Sequence, residues 1–153
     1  MSKILLALAV LLASSAMFAQ SSPIRVNVAG SASASSQAVA KQIAGKLGST
    51  ARYGLVTTSK LDILLEINCL PLVVGGHDAG VACSSEITYW PVAGIVLSQD
   101  IAGSMSAGGE SDVATDLFDS FVRKTSDDKL EAARNNFKTY FNAAVAKFPQ
   151  GLE

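Results

Sequence analysis

Residues 61–70 (LDILLEINCL) constrain the fold of this chain more than any other segment. Leu61, Ile63, Leu65, Ile67 and Cys69 fall on one side of a period of two. Asp62, Leu64, Glu66 and Asn68 fall on the other, and only Leu64 breaks the alternation. Successive side chains of a strand point to opposite faces, so the pattern is that of a strand with one face in a core. A helix is the rival reading, since LDILLEI holds no breaker, and the strict period favours the strand. Pro71 ends the run. Residues 73–80 (VVGGHDAG) read as a glycine-rich connection, and residues 81–90 (VACSSEITYW) as a second strand halted by Pro91. A hairpin turning about Gly76 sets Cys69 opposite Cys83, Ile67 opposite Ser85, Leu65 opposite Ile87 and Ile63 opposite Tyr89. A slip of one residue would send Cys83 to the other face and split the apolar set.

The N-terminus sets the expected compartment. After Lys3, residues 4–13 (ILLALAVLLA) form an unbroken apolar run, followed by small residues (SSAMFA, 14–19) and a polar exit (QSSP, 20–23). Basic start, short apolar run and small-residue junction, in that order, predict a cleavable secretory signal peptide over residues 1–19. Cleavage is expected after Ala19, with Ala16 the alternative because Met17 fits poorly at the third position back. A bilayer-spanning helix needs about 20 apolar residues, more than this run supplies. No cysteine lies near the junction to carry a lipid. Export places Cys69 and Cys83, the only two cysteines, in an oxidising compartment, where a disulfide between the adjacent strands is expected.

Residues 20–153 are then expected to form one domain, long enough to bury a core. The formal charge of the whole chain is -1, and removal of Lys3 makes it -2. That balance gives no electrostatic footprint for nucleic acid, and no later run is apolar enough for a membrane span. The charge is uneven: residues 61–122 hold no Lys or Arg, which reads as a solvated acidic surface in preference to a cation or basic-partner site.

The remaining elements follow from period and punctuation. IRVNV (24–28) reads as a strand, and AGSASASS (29–36) as a turn in which Ser35 or Ser36 caps a helix. Ala38, Val39, Gln42, Ile43, Lys46 and Leu47 give a stripe at helical spacing, stopped by Gly48; YGLVTT (53–58) is a second strand, and residues 94–102 (GIVLSQDIA) the last. Val113, Ala114, Leu117, Phe118, Phe121 and Val122 form a helical stripe expected to start at an N-cap Ser111. Leu130, Ala133, Phe137, Tyr140, Phe141, Ala144, Val145 and Phe148 form another, expected to be buried against the sheet or the preceding helix. The order β-α-β-β-β-β-α-α predicts an α/β (α+β) fold, a single mixed sheet with helices on at least one face.

The candidate chemistry is sparse, and no cofactor motif is present. The 30–36 turn lacks the Gly-Lys-Ser/Thr ending of a phosphate loop and reads as a capped turn. His77 is the only histidine; beside Asp78 in a glycine-rich loop it reads as solvent-exposed, not catalytic. Glu66 and Glu86 come opposite each other in the hairpin register. Paired carboxylates can divide acid and base roles, although on the polar face they read as surface groups. Trp90 at a strand end reads as a core-edge residue.

Residues 24–28 (IRVNV), the helix SQAVAKQIAGKL, the strand LDILLEI, and the Asp100-Ile101-Ala102-Gly103 turn expected to close the last strand together resemble small envelope domains. Those domains are related to the N-terminal domain of TolB, LpoB and CsgG. The resemblance covers about residues 24–121 and concerns fold grammar. The chain departs from it in having no lipobox cysteine and in its long C-terminal helix, so no functional residue carries over. The expectation is an exported, periplasmic or secreted, non-catalytic binding or assembly module of the cell envelope, with an envelope protein as possible partner. The alternative is a small extracellular hydrolase built on His77/Asp78 or Glu66/Glu86.

Overall fold

The computed structural model describes residues 22–147 apart from residue 93. The expected signal peptide, its cleavage site and Phe148 lie outside the described residues. The elements are β1 (Ile24–Gly30), α1 (Ala34–Gly48), β2 (Tyr53–Leu55), β3 (Ile63–Val74), β4 (His77–Tyr89), a 3-10 turn (Trp90–Val92), β5 (Ile95–Ser104), α2 (Glu110–Lys124) and α3 (Asp127–Lys147). Their order is the one expected. The strands form one sheet in the order β2-β1-β3-β4-β5. β1 runs parallel to both β2 and β3, and β3, β4 and β5 are antiparallel.

The alternation in β3 does what its period requires. Ile63, Leu65, Ile67 and Cys69 are buried, and so are their partners Tyr89, Ile87, Ser85 and Cys83, in the expected register. Val39, Ile43 and Leu47 of α1 and Val113, Ala114, Leu117 and Phe121 of α2 cover this face. Phe121 packs edge-on against Tyr53, with ring centroids 5.4 Å apart. Among the described residues no helix lies on the other sheet face, so they form a sandwich of two layers.

Cys69 and Cys83 are joined in a disulfide, with Cα atoms 4.0 Å apart. The backbone explains why this pair closes. The Cys69 N–H points away from β4 and donates to Ser36 Oγ at 2.7 Å, and its carbonyl accepts from Ser33 Oγ at 3.1 Å. The pair therefore sits at a non-hydrogen-bonded position of the ladder, where facing residues come closest.

Pro71 does not end β3 as expected; it lies opposite Val81 inside the strand. It shares its phase with Cys69, so its missing N–H would also point away from β4. β1 has ended by then, its last partner in β3 being Ile67. No ladder bond is lost there.

The connection is also tighter than the expected eight-residue loop. It is a two-residue turn, Gly75-Gly76, with φ of +59° and +82°, the type I′ geometry that matches strand twist. Such a turn alone would set Cys69 against Ala82. A bulge corrects the phase: Leu72 pairs with Gly80 and Val73 with Asp78, leaving Ala79 as the extra residue. Gly80 holds φ +144°, and a Cβ there would stand 2.0 Å from the Ser104 carbonyl oxygen. The bulge thus requires glycine.

Further expectations are corrected. The α1 cap is Ser33, not Ser35 or Ser36, because Ser36 is buried and serves β3. α2 begins at Glu110 after Gly109, with no side-chain cap from Ser111. Residues 100–103 are the paired end of β5, not a turn. β2 stops at Leu55.

The largest correction concerns α3. Leu130 is buried and Ala133 and Phe137 partly so, but Tyr140, Phe141 and Val145 are 77%, 53% and 36% exposed and Ala144 is exposed. The inner sheet face is already covered by α1 and α2. α3 is fixed at one end of the sheet by its first turns and then runs past the body.

Candidate functional site

On the uncovered face the twisted strands form an open groove of about 720 Å³, lined among others by Glu66, Asn68, Ser84, Glu86, Gln99 and Ile101. The strand period puts these residues there: they occupy the phase opposite to the buried set on β3, β4 and β5. Glu66 and Glu86 are direct register partners, as expected. Gln99 Nε2 donates to Glu86 Oε2 at 2.6 Å, and Thr88 Oγ1 donates to Glu86 Oε1 at 3.4 Å. Asn68 Oδ1 accepts from the Ser31 hydroxyl at 3.1 Å. The groove opens to solvent, and apolar side chains stand proud around it: Ile101 is 86% exposed and Leu70 69%.

His77 is not part of this site. It is exposed at the hairpin tip opposite Val74. Its neighbour Asp78 is engaged in the bulge, where Oδ1 accepts the Gly80 N–H at 3.1 Å. The 30–36 turn is likewise committed. Ser33 Oγ accepts the Ser36 N–H, and the Ser31 and Ser33 hydroxyls bond to that of Ser36. Trp90 is half-exposed in the 3-10 turn. Among the described residues no group of three His, Cys, Asp or Glu side chains converges to hold a metal ion.

The anchoring of α3 is polar and specific. Arg52 forks onto the Asp127 carboxylate at 2.8 and 3.2 Å and also donates to the Thr125 carbonyl at 2.9 Å. The hydrogen bond from Arg52 lowers the Asp127 pKa. Arg134 Nε donates to the Tyr89 hydroxyl. Near this end of the sheet, Arg25 clasps Asp62 through Nη2 at 2.8 Å and Nε at 3.1 Å, and its backbone N–H adds 2.8 Å. The Arg25 side-chain hydrogen bonds hold the Asp62 carboxyl below its ordinary range.

The sequence pattern located Glu66 and Glu86 but missed Gln99 and Ile101, because β5 was read without a register. It also missed Arg134 as an anchor, since a lone Arg on a helix carries no local signal of its partner. No protein-family model matches the chain, and no curated protein matches it.

Proposed function

We propose that this protein is an exported binding or assembly module of the cell envelope, periplasmic or secreted, and not an enzyme. One observation carries the reading: among the described residues one sheet face and the outer half of α3 are uncovered, and both present apolar side chains in polar surroundings. Exposed apolar patches of this kind mark interaction surfaces. The Cys69–Cys83 bond suits an oxidising compartment, and among the described residues no helix is long and apolar enough to cross a membrane. His77 lies exposed at the hairpin tip and its neighbour Asp78 is engaged with the Gly80 N–H, which supports the non-catalytic reading. The likeness in element order to envelope domains related to the TolB N-terminal domain, LpoB and CsgG is part of this reading.

The test is recovery of the tagged chain from native cell fractions. The expected product accumulates outside the cytoplasm, lacks residues 1–19 and retains a partner that an Ile101→Asp, Phe141→Asp variant loses. Full-length protein in the cytoplasm, or partner capture unaffected by both substitutions, contradicts it.

One observation favours the hydrolase alternative: Glu66 and Glu86 do share a groove with Asn68 and Gln99. Turnover of a glycoside or ester substrate that disappears in Glu86→Gln would establish it.

A further inference from the structure

We infer that the outer half of α3 from one copy docks on the uncovered sheet face of a second copy, head to tail. The inference rests on the reading of these two surfaces as binding surfaces and names what they bind.

Each surface lacks what the other supplies. A helix with an apolar stripe is stable against a sheet, and a sheet face with exposed aliphatic residues is stable beneath a helix. Tyr140, Phe141 and Val145 form the stripe, and Leu70, Ile101 and Val96, all exposed, form the apolar part of the face. The helix from Phe137 to Lys147 is about 16 Å long at 1.5 Å per residue. Laid along the strands, that length matches about five residues at about 3.3 Å each, and three strands about 4.8 Å apart match a helix diameter of about 10 Å.

Charge selects the pairing. The β3–β5 part of the face belongs to a segment, residues 61–122, with no Lys or Arg, and carries Glu66 and Glu86; Arg25 of β1, in the outward phase, is paired with Asp62. The helix from Ala132 to Lys147 holds Arg134, Lys138 and Lys147 and no acidic residue. By the helical period, Lys138 and Lys147 flank the apolar stripe on opposite sides. Two helices facing each other would oppose like charges, and so would two sheet faces. Helix on face is the complementary combination.

A chain does not seat α3 on its own face. Leu130 is buried, Asp127 is paired with Arg52 and Arg134 with Tyr89, so the first two turns are pinned at the end of the sheet. Among the described residues of one chain, both the groove and the stripe remain open. The contact joins two different patches, so it closes into a ring or extends as a chain.

Light scattering on oxidised protein, purified from the compartment where it accumulates, should show mass rising with concentration. Phe141→Asp and Ile101→Asp should each lower the association constant by at least about tenfold while unfolding as cooperatively as the parent. Mixing the two variants should restore a one-to-one complex, because the first keeps its face and the second its helix. Lys138→Glu should weaken association, and Glu86→Lys in the same chain should recover it. A parent protein monomeric at every concentration overturns the inference, as do variants that fail to complement on mixing. Flotation of a monomeric parent with anionic phospholipid vesicles, abolished by Phe141→Asp, also overturns it and assigns the helix to a lipid surface. If the parent is monomeric while Phe141→Asp still loses its native partner, only the second-copy assignment fails. If neither self-association nor partner loss occurs, the binding-module reading fails with it.

Discussion

The hydroxyl of Ser36 accepts the Cys69 N–H at 2.7 Å and lies 2.7 and 2.6 Å from the Ser31 and Ser33 hydroxyls. The serine-rich turn thus completes the edge of β3 where β1 stops. Ser36 is fully buried, so Ser36→Ala orphans a backbone donor and should cost about 1–3 kcal/mol in urea unfolding. Removing the disulfide by Cys69→Ala, Cys83→Ala should cost about 3 kcal/mol, the chain-entropy value for a loop of about 15 residues. Asp62 gives the pH prediction. Its folded pKa lies below the ordinary 3.8 because Arg25 hydrogen-bonds the ionised form. The stabilisation is therefore present above about pH 4 and lost as pH falls through the folded pKa. Asp62→Asn should flatten that acid limb in unfolding measured from pH 6 to 2, and an unchanged limb would show that the pair contributes nothing. The cysteine pairing was legible in the sequence because it follows from period and count. The role of Ser36 was not, because its partner lies 33 residues away and any serine before a helix reads as a cap.

At the level of elements, the β3–β4 hairpin was legible and α3 was misread, for related reasons. Alternation is a local signal and fixes which face of a strand is buried. The expected centre at Gly76 led to the right register although the turn is Gly75-Gly76, because the Ala79 bulge restores the phase. Gly80→Ala should therefore destabilise by at least about 1–3 kcal/mol, the range for a residue forced into a disfavoured backbone region. An unfolding midpoint equal to that of the parent would mean that the bulge does not hold the register. An apolar stripe on a helix, by contrast, looks the same whether its own chain covers it or another does. Phe141 is half-exposed in the single chain, so at a dilution where the protein is monomeric Phe141→Ala should cost less than about 1 kcal/mol, whereas fully buried Phe121→Ala should cost about 3–5 kcal/mol. Equal losses at both positions would contradict the placement of α3.

For the molecule as a whole, the order of elements determined the α/β class. It did not say how many faces of the sheet are covered. That depends on where the last helix goes, and α3 is steered by long-range contacts: Arg52 to Asp127 and Arg134 to Tyr89. The candidate site inherits the same limit. Glu66 and Glu86 follow from the hairpin register, while the groove depends on the β4–β5 register and on the absence of a helix over it among the described residues. In the proposed function, this open face and the outer half of α3 are the surfaces through which the protein works. Site-specific photo-crosslinking in the native cell tests it most directly, with a photoreactive residue at Ile101, at Phe141, and at Lys41, an exposed position on α1. Crosslinked adducts at Ile101 and Phe141, and none at Lys41, are the predicted result. Adducts at Lys41 alone, or at none of the three, would contradict it.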